Sequence, residues 1–222
     1  VNTADAAAGG SAKGLELVSL AGPEETEITK VFDGDASGGS GTGITLVEDM
    51  MLQGFTLTGD VSAQEIIVIA GDNAEVRNNI VGTGISVGNN LIISKGDYTG
   101  AVIDSNEIRG TGGETAISFN GEEGPTDGLT ISNNEITAGP IGINLVYTSE
   151  ADITGNTIKN TEDQAIGLVN YNGNFGGGPV VDAKVNRNLI EDSRIGVVIA
   201  EITRNDRSSS ITDELNNNHF VN

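Results

Sequence analysis

The sequence predicts an all-β solenoid, in which every turn of the chain adds short strands that stack on those of the turn before. A six-residue pattern recurs along the chain, and a second short strand with one apolar face lies between its copies. The 222 residues include 32 glycines but only 4% aromatic residues and no tryptophan. With 36% hydrophobic residues, the chain lacks the bulk that a helical bundle or a layered α/β fold would need.

The repeat consists of an aliphatic residue, two polar or small residues, an asparagine, any residue, and an aliphatic or aromatic residue. Its asparagines recur every 22 to 32 residues, and Phe55 holds the asparagine position in an earlier relative of the pattern. Helical repeats of this length would show a 3.6-residue period and few glycines, whereas these segments alternate with period two. The repeated asparagines are Asn79, Asn106, Asn134, Asn156, Asn188 and Asn218.

These repeats, together with segments 14–23, 31–34 and 50–57, resemble the right-handed parallel β-helix proteins of the pectate-lyase-like superfamily. The resemblance covers roughly residues 15 to 222 and implies a right-handed parallel β-helix of about seven to eight coils. It also implies that the repeated asparagines lie inside a turn, stacked coil on coil. Stacking at about 4.8 Å would satisfy each buried carboxamide. The residue before each asparagine is expected to adopt a positive φ, a preference from which Arg187 departs.

We expect a single domain, 1–222, with a lead-in at 1–14, opening coils at 15–60 and asparagine-ladder coils at 61–222. The last coil stops in mid-turn after Asn218, which would expose unpaired strand edge and apolar interior. The prediction is that the chain belongs to a longer protein with further domains, or that another chain covers this end.

Charge excludes one class of partner. The chain has 32 acidic and 11 basic residues, a net charge of −21, which repels nucleic acid. No run approaches eighteen apolar residues, so membrane insertion is not predicted. Such acidity is typical of halophilic or marine extracellular proteins, and it predicts an extracellular or cell-surface location, with the periplasm as an alternative.

Insertions point to a candidate ligand surface. In a solenoid, insertions concentrate on the functional face. Here they are predicted to follow the second strand of each repeat, at 88–100, 120–128, 146–151, 170–182 and 200–210. We predict a polysaccharide or surface-ligand site on this edge, since glycan sites combine aromatic rings with acids. The predicted contacts are Tyr98, Tyr147, Tyr171, Phe175, Glu122, Glu123, Asp127 and Glu150. The alternative is that these rings cover the exposed end of the core.

Sequence patterns that would indicate catalysis or metal binding are weaker than those that indicate a ligand surface. Asp33, Asp35 and Ser37 match the first half of a calcium loop, but the glutamate of the twelfth position is replaced by Ile44, and a tight turn explains the glycines without metal. No other cofactor is predicted. Arg109 and Lys159 are predicted two coils apart and Glu107 and Glu135 one coil apart, both arrangements being typical of surface charge.

Two further hypotheses stay open beside a non-catalytic binding module. The chain could be a polysaccharide lyase, epimerase or hydrolase of the pectate-lyase-like group, or a purely structural stalk or spacer. A fold of this class does not decide among them, because it hosts many unrelated functions.

Overall fold

The computed structural model describes residues 14–28, 41–58, 63–83, 90–94, 96–110, 115–121, 124–137, 139–171, 180–202 and 214–221. All regular structure in these ranges is β-strand. Among these residues there is no helix with the length and apolar character that a membrane span requires.

The strands are short, most of them three residues long. In chain order they are β1 (Glu16–Val18), β2 (Glu27–Ile28), β3 (Gly41–Leu46), β4 (Met51–Gln53), β5 (Thr56–Thr58), β6 (Ala63–Ile69), β7 (Glu75–Arg77), β8 (Ile80–Thr83), β9 (Ile92–Ser94), β10 (Val102–Asp104), β11 (Glu107–Arg109), β12 (Thr115–Asn120), β13 (Thr126–Asp127), β14 (Thr130–Ser132), β15 (Glu135–Thr137), β16 (Ile141–Val146), β17 (Thr148–Ser149), β18 (Asp152–Thr154), β19 (Thr157–Lys159), β20 (Gln164–Tyr171), β21 (Lys184–Asn186), β22 (Leu189–Glu191), β23 (Ile195–Ile202), β24 (Glu214–Asn216) and β25 (His219–Val221).

These strands form three long sheets, which the chain visits in turn as it winds. Sheet A has the order β1-β4-β7-β10-β14-β18-β21-β24, sheet B the order β2-β5-β8-β11-β15-β19-β22-β25, and sheet C the order β23-β20-β16-β12-β9-β6-β3. Neighbouring strands are parallel, as β10 and β14 are in sheet A and β11 and β15 in sheet B. The chain completes five turns between Asn79 and Asn218. The prediction of an all-β parallel solenoid is confirmed.

Aliphatic columns build the interior. In sheet A the middle residue of each strand is the register partner of the middle residue of the next strand, as Ile103 is of Val76 and Ile131. Period two then sends the flanking residues outward. Burying one such side chain contributes about 1.5 to 3 kcal/mol. The fully buried members of this column are Leu52, Val76, Ile103, Ile131, Ile153 and Val185.

A ladder of asparagines fills the AB corner, the turn that joins each sheet A strand to the following sheet B strand. The backbone N–H and Nδ2 of Asn134 donate to Oδ1 of Asn156 at 3.0 and 2.9 Å, and Nδ2 also donates to the carbonyl of Ile103 at 2.9 Å. Oδ1 of Asn134 in turn accepts from the backbone N–H and Nδ2 of Asn106 at 2.9 and 3.0 Å. The predicted stack is therefore confirmed, and it satisfies both ends of each carboxamide.

The same bonds recur along the solenoid. Asn79, Asn106, Asn134, Asn156 and Asn188 are all at most 2% exposed. At the start of the ladder, the backbone N–H of Phe55 donates to Oδ1 of Asn79 at 3.0 Å. The corner at Phe55 has no carboxamide side chain, but its backbone N–H still provides a hydrogen-bond donor to Asn79, the first asparagine of the ladder.

The residue before each asparagine takes a left-handed conformation, as predicted. Their φ angles run from 49° at Asn78 to 67° at Gly155. Arg187 adopts it too, with φ of 56° and an exposed side chain, and its N–H donates to the carbonyl of Asn216 at 3.1 Å. The ladder geometry therefore overrides the local preference of arginine, at a cost of about 1 to 2 kcal/mol.

Candidate functional site

One edge of the solenoid, here called the loop edge, lies between each sheet C strand and the next sheet A strand. The prediction of an insertion at 88–100 is wrong in part, because Ile92–Ser94 form β9 of sheet C. Most of the predicted insertions 170–182 and 200–210 lies outside the described residues.

The described parts of the loop edge are stacked in register. β13 pairs with β17, and isolated bridges extend the stack through Thr99 with Asp127 and Ser149 with Val181. Backbone N–H groups join successive coils, as Gly128 donates to the carbonyl of Ser149 at 3.1 Å. Four successive coils therefore hold this edge in one ordered ridge.

Two of the predicted aromatic contacts lie on this ridge. Tyr98 is half-buried, and its ring lies against Gly96, where an added Cβ would stand 2.6 Å from Cε2. Tyr147 is half-buried and has a φ of 51°. A bulky residue with positive φ is an outlier, and such strain concentrates at functional sites. Tyr147 is the single residue between β16 and β17, so it is the residue that adopts the left-handed conformation of this corner.

The acids of the edge are held differently from one another. Asp127 is half-buried, and its Oδ1 accepts a hydrogen bond from Ser149 Oγ at 2.8 Å. Glu150 is exposed and has a φ of 52°. The edge thus combines half-exposed phenols, a fixed carboxylate and a carboxylate that faces solvent.

Other predicted residues are not placed. Phe175, Glu122 and Glu123 lie outside the described residues, as do the calcium-loop residues Asp33, Asp35 and Ser37. Tyr171 ends β20 as the partner of Ile202, but its side chain also lies outside the description. Among the described residues, no group of three histidines, aspartates or glutamates is arranged to hold a metal ion.

Beneath the ridge lies a matched pair of threonines that sequence reasoning missed. Thr126 and Thr148 are register partners and both are fully buried. Thr126 Oγ1 donates to the carbonyl of Gly96 at 3.0 Å, whereas Thr148 Oγ1 has no hydrogen-bond partner in the described part of the chain. Only the loop conformation distinguishes them, so no sequence signal separates the two.

Replacing Thr148 with valine is expected to raise the free energy of unfolding by about 1 kcal/mol, because an unsatisfied buried hydroxyl is removed. Thr126→Val, the control one coil away, is expected to lower it by a similar amount, since the carbonyl of Gly96 loses its donor. Urea denaturation of the two variants measures both effects. Equal changes in both variants would contradict this account of the ridge.

The charged columns predicted on sheet B are in register. Glu107 is the partner of Glu135, and Arg109 is two rungs from Lys159 through Thr137. Lys159 Nζ lies 3.3 Å from Glu135 Oε1 and 3.5 Å from Glu191 Oε2, and Arg109 pairs with Glu107. The pKa of Lys159 is raised above its ordinary value by the hydrogen bond to Glu135, and that of Arg109 by the hydrogen bond to Glu107. Both remain protonated, so neither is suited to act as a base.

Sheet A carries a closed polar cluster around Asp104. Its carboxylate accepts from Ser132 Oγ at 2.5 Å, Asn133 Nδ2 at 3.0 Å and Arg77 Nη1 at 3.2 Å. Burial acts to raise the pKa of Asp104, but the hydrogen bonds from Ser132, Asn133 and Ser105 and the charge of Arg77 outweigh it and lower the pKa. Its stabilising effect is therefore present above the unfolded-state pKa and is lost as pH falls through the lower folded-state value. These groups therefore satisfy one another.

A groove that the sequence did not predict lies on the outer face of sheet B. It has a volume of about 260 Å³ and is lined by Pro23, Glu24, Glu27, Thr56, Ile80 and Arg109. The long corner of the first coil overhangs it, fixed where Thr56 Oγ1 donates to the carbonyl of Pro23 at 2.6 Å. The only sequence signal was the extra length between β1 and β2. The groove is separate from the loop edge.

Comparison with protein families, with curated proteins and with solved structures gives no match in any of the three. Functional inference for this chain therefore rests on its own residues.

Proposed function

We propose that the protein is a non-catalytic extracellular or cell-surface module that presents the loop edge to a polysaccharide. On this proposal, it is a right-handed parallel β-helix protein of the pectate-lyase-like superfamily. The observation that carries the binding proposal is the ordered ridge with Tyr147 in a left-handed conformation. A strained aromatic residue that is half-buried on an ordered ridge is preorganised for contact with a sugar ring.

The composition supports the same surface. The chain has three tyrosines and only 4% aromatic residues, and two of the tyrosines, Tyr98 and Tyr147, lie on this edge, while Tyr171 ends the sheet C strand that leads into it. An aromatic ring gives a sugar a flat apolar contact with a polar rim, while Asp127 and Glu150 offer acceptors to its hydroxyls.

The net charge of −21 restricts the ligand. Direct binding of a polyuronate would bring like charges together, which costs association rate and affinity. We therefore propose a neutral polysaccharide, or an acidic one bridged by calcium at the carboxylates of the edge.

The test is retardation in native gels that contain laminarin, xylan, alginate or polygalacturonate, each with and without calcium. At least one gel is expected to retard the wild type. Tyr98→Ala and Tyr147→Gly are each expected to weaken that binding about fivefold, since a stacked ring is worth about 1 kcal/mol. Glycine accepts the φ of Tyr147 without strain, so the second variant is expected to remain folded.

The control is Thr137→Ala on the outer face of sheet B, which is expected to bind as the wild type does. Equal retardation of the wild type and of both tyrosine variants would remove the loop edge as the ligand surface. If both tyrosine variants unfold instead, the rings cover the core and the stalk hypothesis gains support.

The same panel tests the enzymatic alternative. Release of unsaturated or shortened oligosaccharides from any of these substrates would replace the binding proposal with a lyase or hydrolase.

A further inference from the structure

The groove on the outer face of sheet B crosses four successive coils, whose strands are β2, β5, β8 and β11. Glu27 of β2 and Arg109 of β11 belong to its first and last coils, and Thr56 and Ile80 lie on the two strands between them. At about 4.8 Å per strand, the backbones of the first and last coils are about 14 Å apart along the solenoid axis. The groove therefore has acidic side chains towards one end and a basic side chain at the other.

The middle of the groove is apolar. Ile80 lies in an outward-facing column of sheet B, as the register partner of Thr56 and Glu107, yet it is only 6% exposed. Outward positions of a strand face solvent, so the burial of Ile80 comes from the walls of the groove, to which Pro23 and Arg109 contribute. A ligand would find an aliphatic contact between the charged ends.

Hydrogen bonds fix the wall that the corner between β1 and β2 provides. Thr56 Oγ1 donates to the carbonyl of Pro23 at 2.6 Å, and the backbone N–H of Thr56 donates to the carbonyl of Thr26 at 2.8 Å. The hydroxyls of Ser19 and Thr26 lie 2.6 Å apart and share a hydrogen bond. Glu24 is held between these anchors, so a ligand would pay little to order this wall.

The charged groups of the groove have unused hydrogen-bonding capacity. Arg109 pairs with Glu107 through Nε, and its two Nη groups have no acceptor among the described residues. Within the same ranges, Glu24 accepts no hydrogen bond and joins no ion pair, although the pKa of Arg109 is raised by the hydrogen bond to Glu107 and also by the charge of Glu24. Glu27 uses one carboxylate oxygen to accept from Thr58 Oγ1 at 3.1 Å. Glu24 and Arg109 therefore interact across the groove without touching.

This arrangement distinguishes ligands by charge. A simple anion would pair with Arg109 but would meet the carboxylates of Glu24 and Glu27, and a simple cation would pair with these carboxylates but would lie near Arg109. A zwitterion with its two charges at opposite ends of a short methylene chain would pair with both ends and cover Ile80. The groove volume of about 260 Å³ is below the range of roughly 300 to 1,000 Å³ that is typical of drug-sized ligands, so the ligand is small.

We propose that the groove binds a small zwitterion, an ω-amino acid, with its ammonium group at Glu24 and Glu27, its carboxylate at the Nη groups of Arg109 and its methylene chain on Ile80. The site is separate from the loop edge and does not depend on polysaccharide binding. Both glutamates are exposed, so water and salt screen these contacts, and we expect a dissociation constant of about 1 mM at low ionic strength.

The probe is δ-aminovalerate, titrated at low ionic strength into the isotope-labelled full chain. The methyl signals of Ile80 and the side-chain N–H signals of Arg109 are followed by NMR. Valerate and pentylamine are the matched probes, since each keeps the methylene chain and only one of the two charges. We expect saturable shifts with δ-aminovalerate and binding at least about fivefold weaker with either single-charge probe, because one charged contact is lost.

Three protein variants locate the effect. Glu24→Gln and Arg109→Gln are each expected to weaken the binding of δ-aminovalerate about fivefold, and Arg109→Gln is expected to leave that of pentylamine no weaker. Glu25→Gln is the control, because Glu25 is the exposed neighbour of Glu24 and does not line the groove; it is expected to bind as the wild type does.

The proposal is overturned if δ-aminovalerate gives no saturable shifts, or if valerate or pentylamine binds as tightly as δ-aminovalerate. It is also overturned if Glu24→Gln binds as tightly as Glu25→Gln. The Glu24 comparison keeps the test decisive even if Arg109→Gln fails to fold, since both glutamates are exposed.

Discussion

Replacing Asn134 with leucine is expected to lower the free energy of unfolding by about 3 kcal/mol, because several buried polar groups lose their partners together. The variant removes the acceptor of the backbone N–H and Nδ2 of Asn106 and the donor to the carbonyl of Ile103. Asn134 is 1% exposed, so water does not replace these bonds. Urea denaturation followed by far-ultraviolet circular dichroism measures the change.

Asn78, which precedes the ladder residue Asn79, provides the control. It is exposed, with a φ of 49°, and glycine adopts that conformation without strain. Asn78→Gly is therefore expected to change stability by less than about 0.5 kcal/mol, as surface substitutions usually do. A ladder variant no less stable than this control would contradict the stabilising role of the stack.

Truncating Phe119 to alanine is expected to cost about 4 kcal/mol, the range of a fully buried phenylalanine that leaves a cavity behind. Its ring is fully buried and faces inward from sheet C between Ser94 and Leu145 in register. Short strands on either side cannot collapse into the space, because their register is fixed by the coils above and below.

The matched variant is Phe220→Ala, since Phe220 is 55% exposed. We expect it to cost less than about 1 kcal/mol, because little apolar surface is returned to water. Thermal or urea unfolding of the two variants side by side compares them. Similar losses in both would mean that the interior of sheet C is not packed as described.

Much of the fold was predictable because the ladder repeats a chemical requirement. A buried carboxamide needs its partners at a fixed place in every coil, so the sequence keeps Asn106, Asn134 and Asn156 in one pattern whatever the intervening length. The aliphatic residue three positions earlier, Ile131 in the case of Asn134, points inward because its strand buries one face in the core. Arg187 was the exception, because its residue type argues against the left-handed φ that its position in the pattern imposes.

The position of the loop edge after sheet C was predictable for the coils of Asp127 and Ser149, but not for the coil of Tyr98, where the segment predicted as an insertion contains β9. Excess length between strands indicates where loops project, but not that β13 and β17 pair or that Tyr147 takes a positive φ. The same holds for the missing partner of Thr148 and for the groove beside Pro23, because both depend on the path of a turn. Such paths are set by contacts between coils, which a local pattern does not encode.

The most direct test of the account is hydrogen exchange of the full chain with and without the polysaccharide that retards it in the native gel. Bound polysaccharide is expected to slow exchange in peptides that cover Thr99, Asp127 and Ser149, and to leave those from the outer face of sheet B unchanged. Protection on sheet B, in the groove beside Glu24 and Arg109, with none along the loop edge would contradict the proposed ligand surface.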